Sequence, residues 1–172
     1  MNDRFDFLRA GHRHIADSTN LKQTISGLVK MAVATSGTDM GSLFLLHKNE
    51  GVLHPYILLN LPLTYIKGCA EVPVGTQCCG RAVLHKIPWV VEDMWSDPLF
   101  SDCRDAAMNS GVRAAFSVPV LSDTGECLGS LASHFREVHR PGQDTLDTIQ
   151  MMGSLIAYAL TRSTQLLAAR EA

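Results

Sequence analysis

The amino-acid sequence predicts an α+β domain built on a mainly antiparallel sheet, with long helices on one face. Three observations carry this. Apolar residues at helical spacing open and close the chain. Strand-length apolar runs joined by turn-forming residues make two hairpins between those helices. A short helical pattern, one more strand and an irregular stretch separate the hairpins. The chain has 172 residues, 46% of them hydrophobic, enough for one compact domain with its own core. No internal repeat, linker or low-complexity tract divides it.

Phe5, Leu8 and Ile15, with His12 on the same face, predict a short amphipathic helix. Asn20 caps a stronger one, with Gln23 in the capping-box position and an apolar face of Leu21, Ile25, Leu28, Val29, Ala32 and Val33. Gly37 ends it. Met40 to His47 reads as a strand, Lys48 to Gly51 as a turn, and Val52 to Asn60 as the hairpin partner, with Pro55 marking an edge or a bulge. Leu63 to Lys67 fits one helical turn, and Ala70 to Val74 a short strand closed by Gly75. Cys78 to His85 fits a short helix and Trp89 to Glu92 a strand. Residues 94–111 are irregular or partly helical. Ala114 to Leu121 and Glu126 to Glu137 form the second hairpin, turned at Ser122-Asp123-Thr124-Gly125. Pro141-Gly142 opens the last helix, where Asp144 and Asp147 meet the positive end of its dipole. Its apolar series is Leu146, Ile149, Met152, Ile156, Ala159, Leu160 and Leu167.

Charge and composition exclude several functions. The net charge is −2 with both signs interspersed, so no basic stripe addresses a nucleic acid. Asp3, Arg4, Asp6 and Arg9 interrupt the N-terminus, leaving no signal-peptide core, and the apolar run Leu155–Leu160 is too short for a membrane span. The expected setting is the cytoplasm, without membrane insertion. The five cysteines are odd in number and form no C-x-x-C pair, so reduced thiols are expected rather than a disulfide framework or a structural zinc site. No metal site is expected.

If the long helices cover one sheet face, the short helix and residues 94–111 must cover the other. A sheet under such a lid is where a ligand pocket forms. Several segments in this order resemble a GAF domain: Thr38-Asp39-Met40-Gly41-Ser42-Leu43, the stretch from Val72-Pro73-Val74-Gly75 through Cys79-Gly80-Arg81-Ala82, Val90-Val91-Glu92-Asp93, Asp97-Pro98-Leu99-Phe100, Gly111-Val112-Arg113-Ala114, Ser117-Val118-Pro119-Val120 and Gly129 to Phe135. The resemblance covers roughly residues 20–162, with 1–19 as an N-terminal helical extension and 163–172 as a continuation of the last helix. It is strongest to sensory GAF domains of bacterial histidine kinases and related regulators.

The resemblance implies a six-stranded antiparallel sheet, a ligand pocket on one face and dimerisation through the terminal helices. Leu166 and Leu167, beyond what a monomer core needs, fit such a dimer. The implied pocket residues are Cys79, Trp89, Asp93, Trp95, Phe100, Cys103, Arg113, Phe116 and His134. Read by themselves, Asp93 is also placed to cap loop N–H groups, Arg113 to be solvated, and Trp89 to pack in the core. The Cys-His pair of bilin-binding members and the signature of cyclic-nucleotide binders are absent. His54, His85 and His134 are available as haem ligands, and no spacing singles one out. Neither ligand nor cofactor is assigned.

One branch of the family is enzymatic. Cys69, Cys79 and Cys103 stand at the spacings of free methionine-(R)-sulfoxide reductases, with Cys103 as nucleophile and Cys79 or Cys69 as resolving thiol. The carboxylates that bind the substrate's amino group in those enzymes are replaced here by Ala132 and His134. The leading expectation is therefore a sensory module that binds a small molecule between the sheet and a lid at 78–111. It would pass a change through its terminal helices to an attached or partner protein, such as a histidine kinase. The alternatives are the thiol-dependent reductase and a ligand-free dimerisation module.

Overall fold

The computed structural model describes residues 3–17 and 20–171, with side chains described over 6–17 and 20–163. In chain order the elements are α1 (Asp3–Asp17), α2 (Leu21–Thr35), β1 (Met40–His47), β2 (Val52–Leu59), α3 (Leu63–Gly68), β3 (Val72–Pro73), α4 (Gln77–His85), β4 (Trp89–Val91), a 3-10 turn (Pro98–Cys103), α5 (Arg104–Ser110), β5 (Ala114–Leu121), β6 (Cys127–Phe135) and α6 (Gln143–Glu171). The strands form one six-stranded sheet in the order β3-β2-β1-β6-β5-β4, antiparallel throughout. This is the α+β architecture the sequence predicts.

Local chemistry accounts for the element boundaries. Asn20 Oδ1 accepts from the Gln23 N–H at 3.1 Å, satisfying one orphan donor at the start of α2. The expected turn joins β1 to β2, and Pro55 does mark a bulge: Leu43 faces Ile57 while Phe44 faces Pro55, so Tyr56 is the extra residue. The third strand is shorter than expected. Only Val72 and Pro73 pair with β2, because Pro73 offers no N–H and Gly75 turns the chain away at φ 90°. Residues 94–111 are more regular than expected. The Asp97 carboxylate caps the 3-10 turn by accepting from the Leu99 N–H at 2.8 Å, and Gly111 ends α5 in the left-handed conformation.

Strand parity splits the molecule into layers. Leu43, Leu131, Phe116, Val118 and Val120 face the long helices and pack with Ile25, Leu28, Val29, Ile149, Met152 and Ile156. Each such buried side chain contributes about 1.5–3 kcal/mol, so this layer anchors α2 and α6 to the sheet. The other sheet face carries two smaller clusters. One joins Tyr65, Cys69, Cys78, Met94, Phe100, Cys103 and Ala107; the other joins Phe44, Leu53, Val72, Cys79, Val83 and Ala132. Between them lies the site described next. Leu166 and Leu167, named for a dimer contact, fall outside the described side chains. No helix among the described residues is long and apolar enough to cross a membrane.

Candidate functional site

A narrow cleft opens on the sheet face opposite the long helices, bounded by β1, β2 and β6 below and by α3 and the start of α4 above. Its empty space, counting the open mouth, is about 370 Å³. The apolar walls are Phe44, Pro55, Leu58, Leu61, Ile66, Ala70 and Val72; the polar atoms come from Ser42, Tyr65, Cys69, Gln77, Cys79 and His134. No Asp, Glu, Lys or Arg is among these lining residues. Gln77 holds φ 49°, a left-handed conformation that costs a non-glycine residue roughly 1 kcal/mol or more. That conformation lies where the chain turns into α4 beside the cleft.

His134 is the central polar group. It is 4% exposed, its Nε2 meets the Ser42 hydroxyl at 3.1 Å, and the edge of its ring meets the Tyr65 ring at 5.4 Å between centroids. Its Nδ1 is buried with no hydrogen-bond partner among the described residues. Burial pulls the imidazole pKa down to about 4, so the ring is neutral at physiological pH. One buried ring nitrogen, neither charged nor paired, therefore borders an uncharged cleft.

The same strand faces both ways. The Thr38 hydroxyl donates to the His134 carbonyl at 2.7 Å, and the Ser133 hydroxyl bonds Ser36, the residue that caps the C-terminal end of α2, at 2.9 Å. The backbone that presents His134 to the cleft is thus tied to the end of a long helix on the opposite face.

All five cysteines are buried free thiols. Cys69, at the end of α3, and Cys103, at the end of the 3-10 turn, lie in one buried cluster, and the Cys103 thiol donates to the carbonyl of Gly68, the residue before Cys69, at 3.4 Å. The Cys103 thiol, and then burial, push Cys69 up, while the neighbouring Cys69 holds Cys103 down. Cys79 stands apart: burial raises it, and the Ser130 and Ser117 hydroxyls partly offset this. Cys78 donates to the Trp89 carbonyl at 3.2 Å and packs α4 onto β4.

A family-model comparison matches residues 20–160 to the GAF domain, most of the chain. The chain belongs to the GAF domain family. Over 148 residues it is 26% identical to the methyl sulfide methyltransferase-associated sensor of Methanosarcina acetivorans; the match takes in 85% of this chain and 15% of that much longer protein. Among solved structures, it resembles the GAF domain of a phosphoenolpyruvate-protein phosphotransferase from Coxiella burnetii (TM-score 0.80, 17% identity, 96% of this chain and 97% of the other). It also resembles a free methionine-R-sulfoxide reductase from Neisseria meningitidis bound to its substrate (TM-score 0.76, 20% identity, 95% and 91%). At these identities both likenesses speak to the fold alone.

Within this GAF domain the residues named from the sequence divide into groups. Cys79 and His134 line the cleft, as does Cys69 from the reductase set. Phe100 and Cys103 pack beside it in the cluster around Tyr65 and Met94. Residues 94–111 fill their own interior there, so the open space lies under Leu61–Gln77 instead. Asp93 accepts from the Trp95 N–H at 3.1 Å and pairs with Arg113 through both carboxylate oxygens, at 3.3 and 3.1 Å. The Arg113 guanidinium lies 4.6 Å from the centre of the Trp95 ring and, by its hydrogen bonds, holds Asp93 below the usual carboxylate range. Asp93, Trp95 and Arg113 thus form a closed loop-bracing unit outside the cleft lining. Trp89 stacks on His85, and Phe116 faces the long helices. Of the three histidines named as haem ligands, His134 alone lines the cleft. Ser42, Tyr65 and Gln77 line it without having been named as pocket residues.

Proposed function

We propose that this GAF domain is a sensory module that binds a small, neutral, largely apolar molecule in the cleft under α3, held by a hydrogen bond to His134. The observation that carries the reading is the unpaired Nδ1 of His134 beside a lining without charge. An unpaired buried nitrogen costs about 1–3 kcal/mol, which a ligand donor would recover. An anion or a zwitterion would enter the same cleft with no counter-charge, which disfavours both. Tyr65 and Ile66 of α3 form part of the upper wall, so α3 is the element that must move for a ligand to enter.

The output is carried by the sheet. A ligand that shifts His134 also shifts the carbonyl bound by Thr38 and the neighbouring Ser133–Ser36 contact at the end of α2. Signalling then follows if the ligand binds two arrangements of the terminal helices with different affinity. A homodimer through α1 and α6, coupled to a histidine kinase or another output, fits this geometry. The methyltransferase-associated sensor supports the sensory reading.

The test is a thermal-shift survey of neutral apolar compounds with one hydrogen-bond donor against charged ones, on the wild type and His134→Ala. The reading expects stabilisation by members of the neutral set, lost in the variant. Stabilisation by charged compounds alone contradicts it.

A second reading rests on the shared burial of Cys69 and Cys103 in one cluster, with the Cys103 thiol on the carbonyl of Gly68 next to Cys69. In it the Cys103 thiolate attacks a sulfoxide sulfur and the sulfoxide oxygen takes a proton from solvent; the substrate leaves as the sulfide and its oxygen stays as a Cys103 sulfenic acid. Cys69 then displaces that oxygen as water, forming a disulfide that an external dithiol must reduce. Free methionine sulfoxide carries both an ammonium and a carboxylate, and the uncharged lining pairs neither. Turnover of free methionine-(R)-sulfoxide with a dithiol reductant, lost in Cys103→Ser, would favour this reading over the first.

A further inference from the structure

The tip of the β1–β2 hairpin carries a group of donors unconnected with the cleft. His47 ends β1, Glu50 lies in the turn and His54 lies on β2. In the ladder Leu45 faces His54 and His47 faces Val52, so both imidazoles project from the same side of the hairpin. The turn folds Glu50 back between them, its N–H and that of Gly51 both donating to the His47 carbonyl, at 3.1 and 2.9 Å. One Glu50 oxygen lies 3.1 Å from His54 Nε2 and the other 3.8 Å from His47 Nδ1, and the two rings meet edge to face at 4.4 Å. One ligand atom from each residue lies within 4.8 Å of the other two.

We propose that His47, Glu50 and His54 form a surface site for a divalent transition-metal ion of the zinc class. Two imidazoles and one carboxylate match the nitrogen and oxygen donors zinc takes, and a set with two nitrogen donors and a single carboxylate suits calcium or magnesium poorly. Metal–ligand bonds of about 2.0–2.2 Å would draw the three atoms together by a modest rotation of two exposed side chains and the half-buried His54. The fourth position would be left to water. Lys48, the cation nearest in sequence, pairs with Glu126, so its charge is directed away from the Glu50 carboxylate. A bound ion would join both strands of the hairpin beside Pro55, which walls the cleft.

The experiment is equilibrium dialysis of tag-free protein against Zn(II), with bound metal measured by mass spectrometry and Co(II) as a spectroscopic substitute. The variants are His47→Ala, His54→Ala and Glu50→Gln, at two exposed positions and the half-buried His54, none of them in the core; circular dichroism checks that each still folds. The expected result is one zinc per chain, with affinity reduced roughly 10-fold or more in each variant, since loss of a ligand costs at least what loss of a supporting partner does. Co(II) should show d–d bands without a thiolate charge-transfer band. Failure of the wild type to take up stoichiometric zinc overturns the proposal. So does zinc retained undiminished in the three variants, or a thiolate band that places the ion on the cysteines.

Discussion

His134 Nε2 and the Ser42 hydroxyl meet at 3.1 Å between β6 and β1, and Nδ1 of the same ring has no partner among the described residues. Ser42 fixes the ring's orientation, and the neutral ring, one of whose nitrogens is buried and unpaired, lines an uncharged cleft. The expectations below follow from this arrangement and from the packing around it.

The imidazole sets a pH dependence. Burial lowers the His134 pKa to about 4 from an ordinary 6.5. Between these values the unfolded chain binds a proton that the folded chain refuses. Its contribution is fully present above about pH 6.5 and declines as the pH falls toward 4, by about 2 kcal/mol between pH 7 and pH 5. Urea melts at the two pH values should show that difference in the wild type and a correspondingly smaller one in His134→Gln. Equal losses in both proteins would mean that His134 is not the group responsible.

The thiols should pair selectively. Mild oxidation with diamide is expected to join Cys69 to Cys103, which lie in the same buried cluster, and to leave Cys79, which packs in the other cluster, reduced. Peptide mapping after alkylation reads the outcome directly. A bridge between Cys79 and Cys103 would contradict the arrangement at the end of α3.

Phe116 belongs to the helix-side core and is fully buried. Phe116→Ala should cost about 3–5 kcal/mol in chemical denaturation. The milder Phe116→Leu should lower stability while leaving small-molecule binding at folded-state temperatures unchanged. A binding defect without a stability loss would instead place Phe116 at the ligand.

Gly80 is required by close packing. A Cβ there would lie 2.3 Å from the Pro73 carbonyl oxygen and 3.1 Å from the Gly75 nitrogen. Gly80→Ala should push α4 from β3 and cost about 1–3 kcal/mol, read as a lowered urea midpoint.

Much of this was legible in the sequence because it is local. The Asn20 cap, the Pro55 bulge and the two hairpin turns each rest on a few adjacent residues with distinctive chemistry. The fold followed from the order of those elements. The cleft was legible only in outline, because its position depends on which covering segment fills its own interior. Phe100, Cys103 and Ala107 do so for residues 94–111, and nothing in their spacing announces it. Strand parity relative to the core was equally hidden, so Phe116 and His134, both on edges of apolar runs, were indistinguishable until the ladder fixed their faces. Ser42 and Tyr65 gave no signal, being a single serine in a strand and a single tyrosine in a short helix. His47, Glu50 and His54 were not read together in the sequence, because they converge only when the turn closes.

The most direct test of the central claim is native mass spectrometry of freshly purified protein alongside His134→Ala, with denatured masses taken in parallel. Binding of a small molecule at the cleft predicts a non-covalent adduct on the wild type, of a neutral and largely apolar compound, that disappears on denaturation and is absent or strongly reduced in the variant. An adduct of equal occupancy on both proteins, or one whose identified mass is that of an anion or an amino acid, would contradict it.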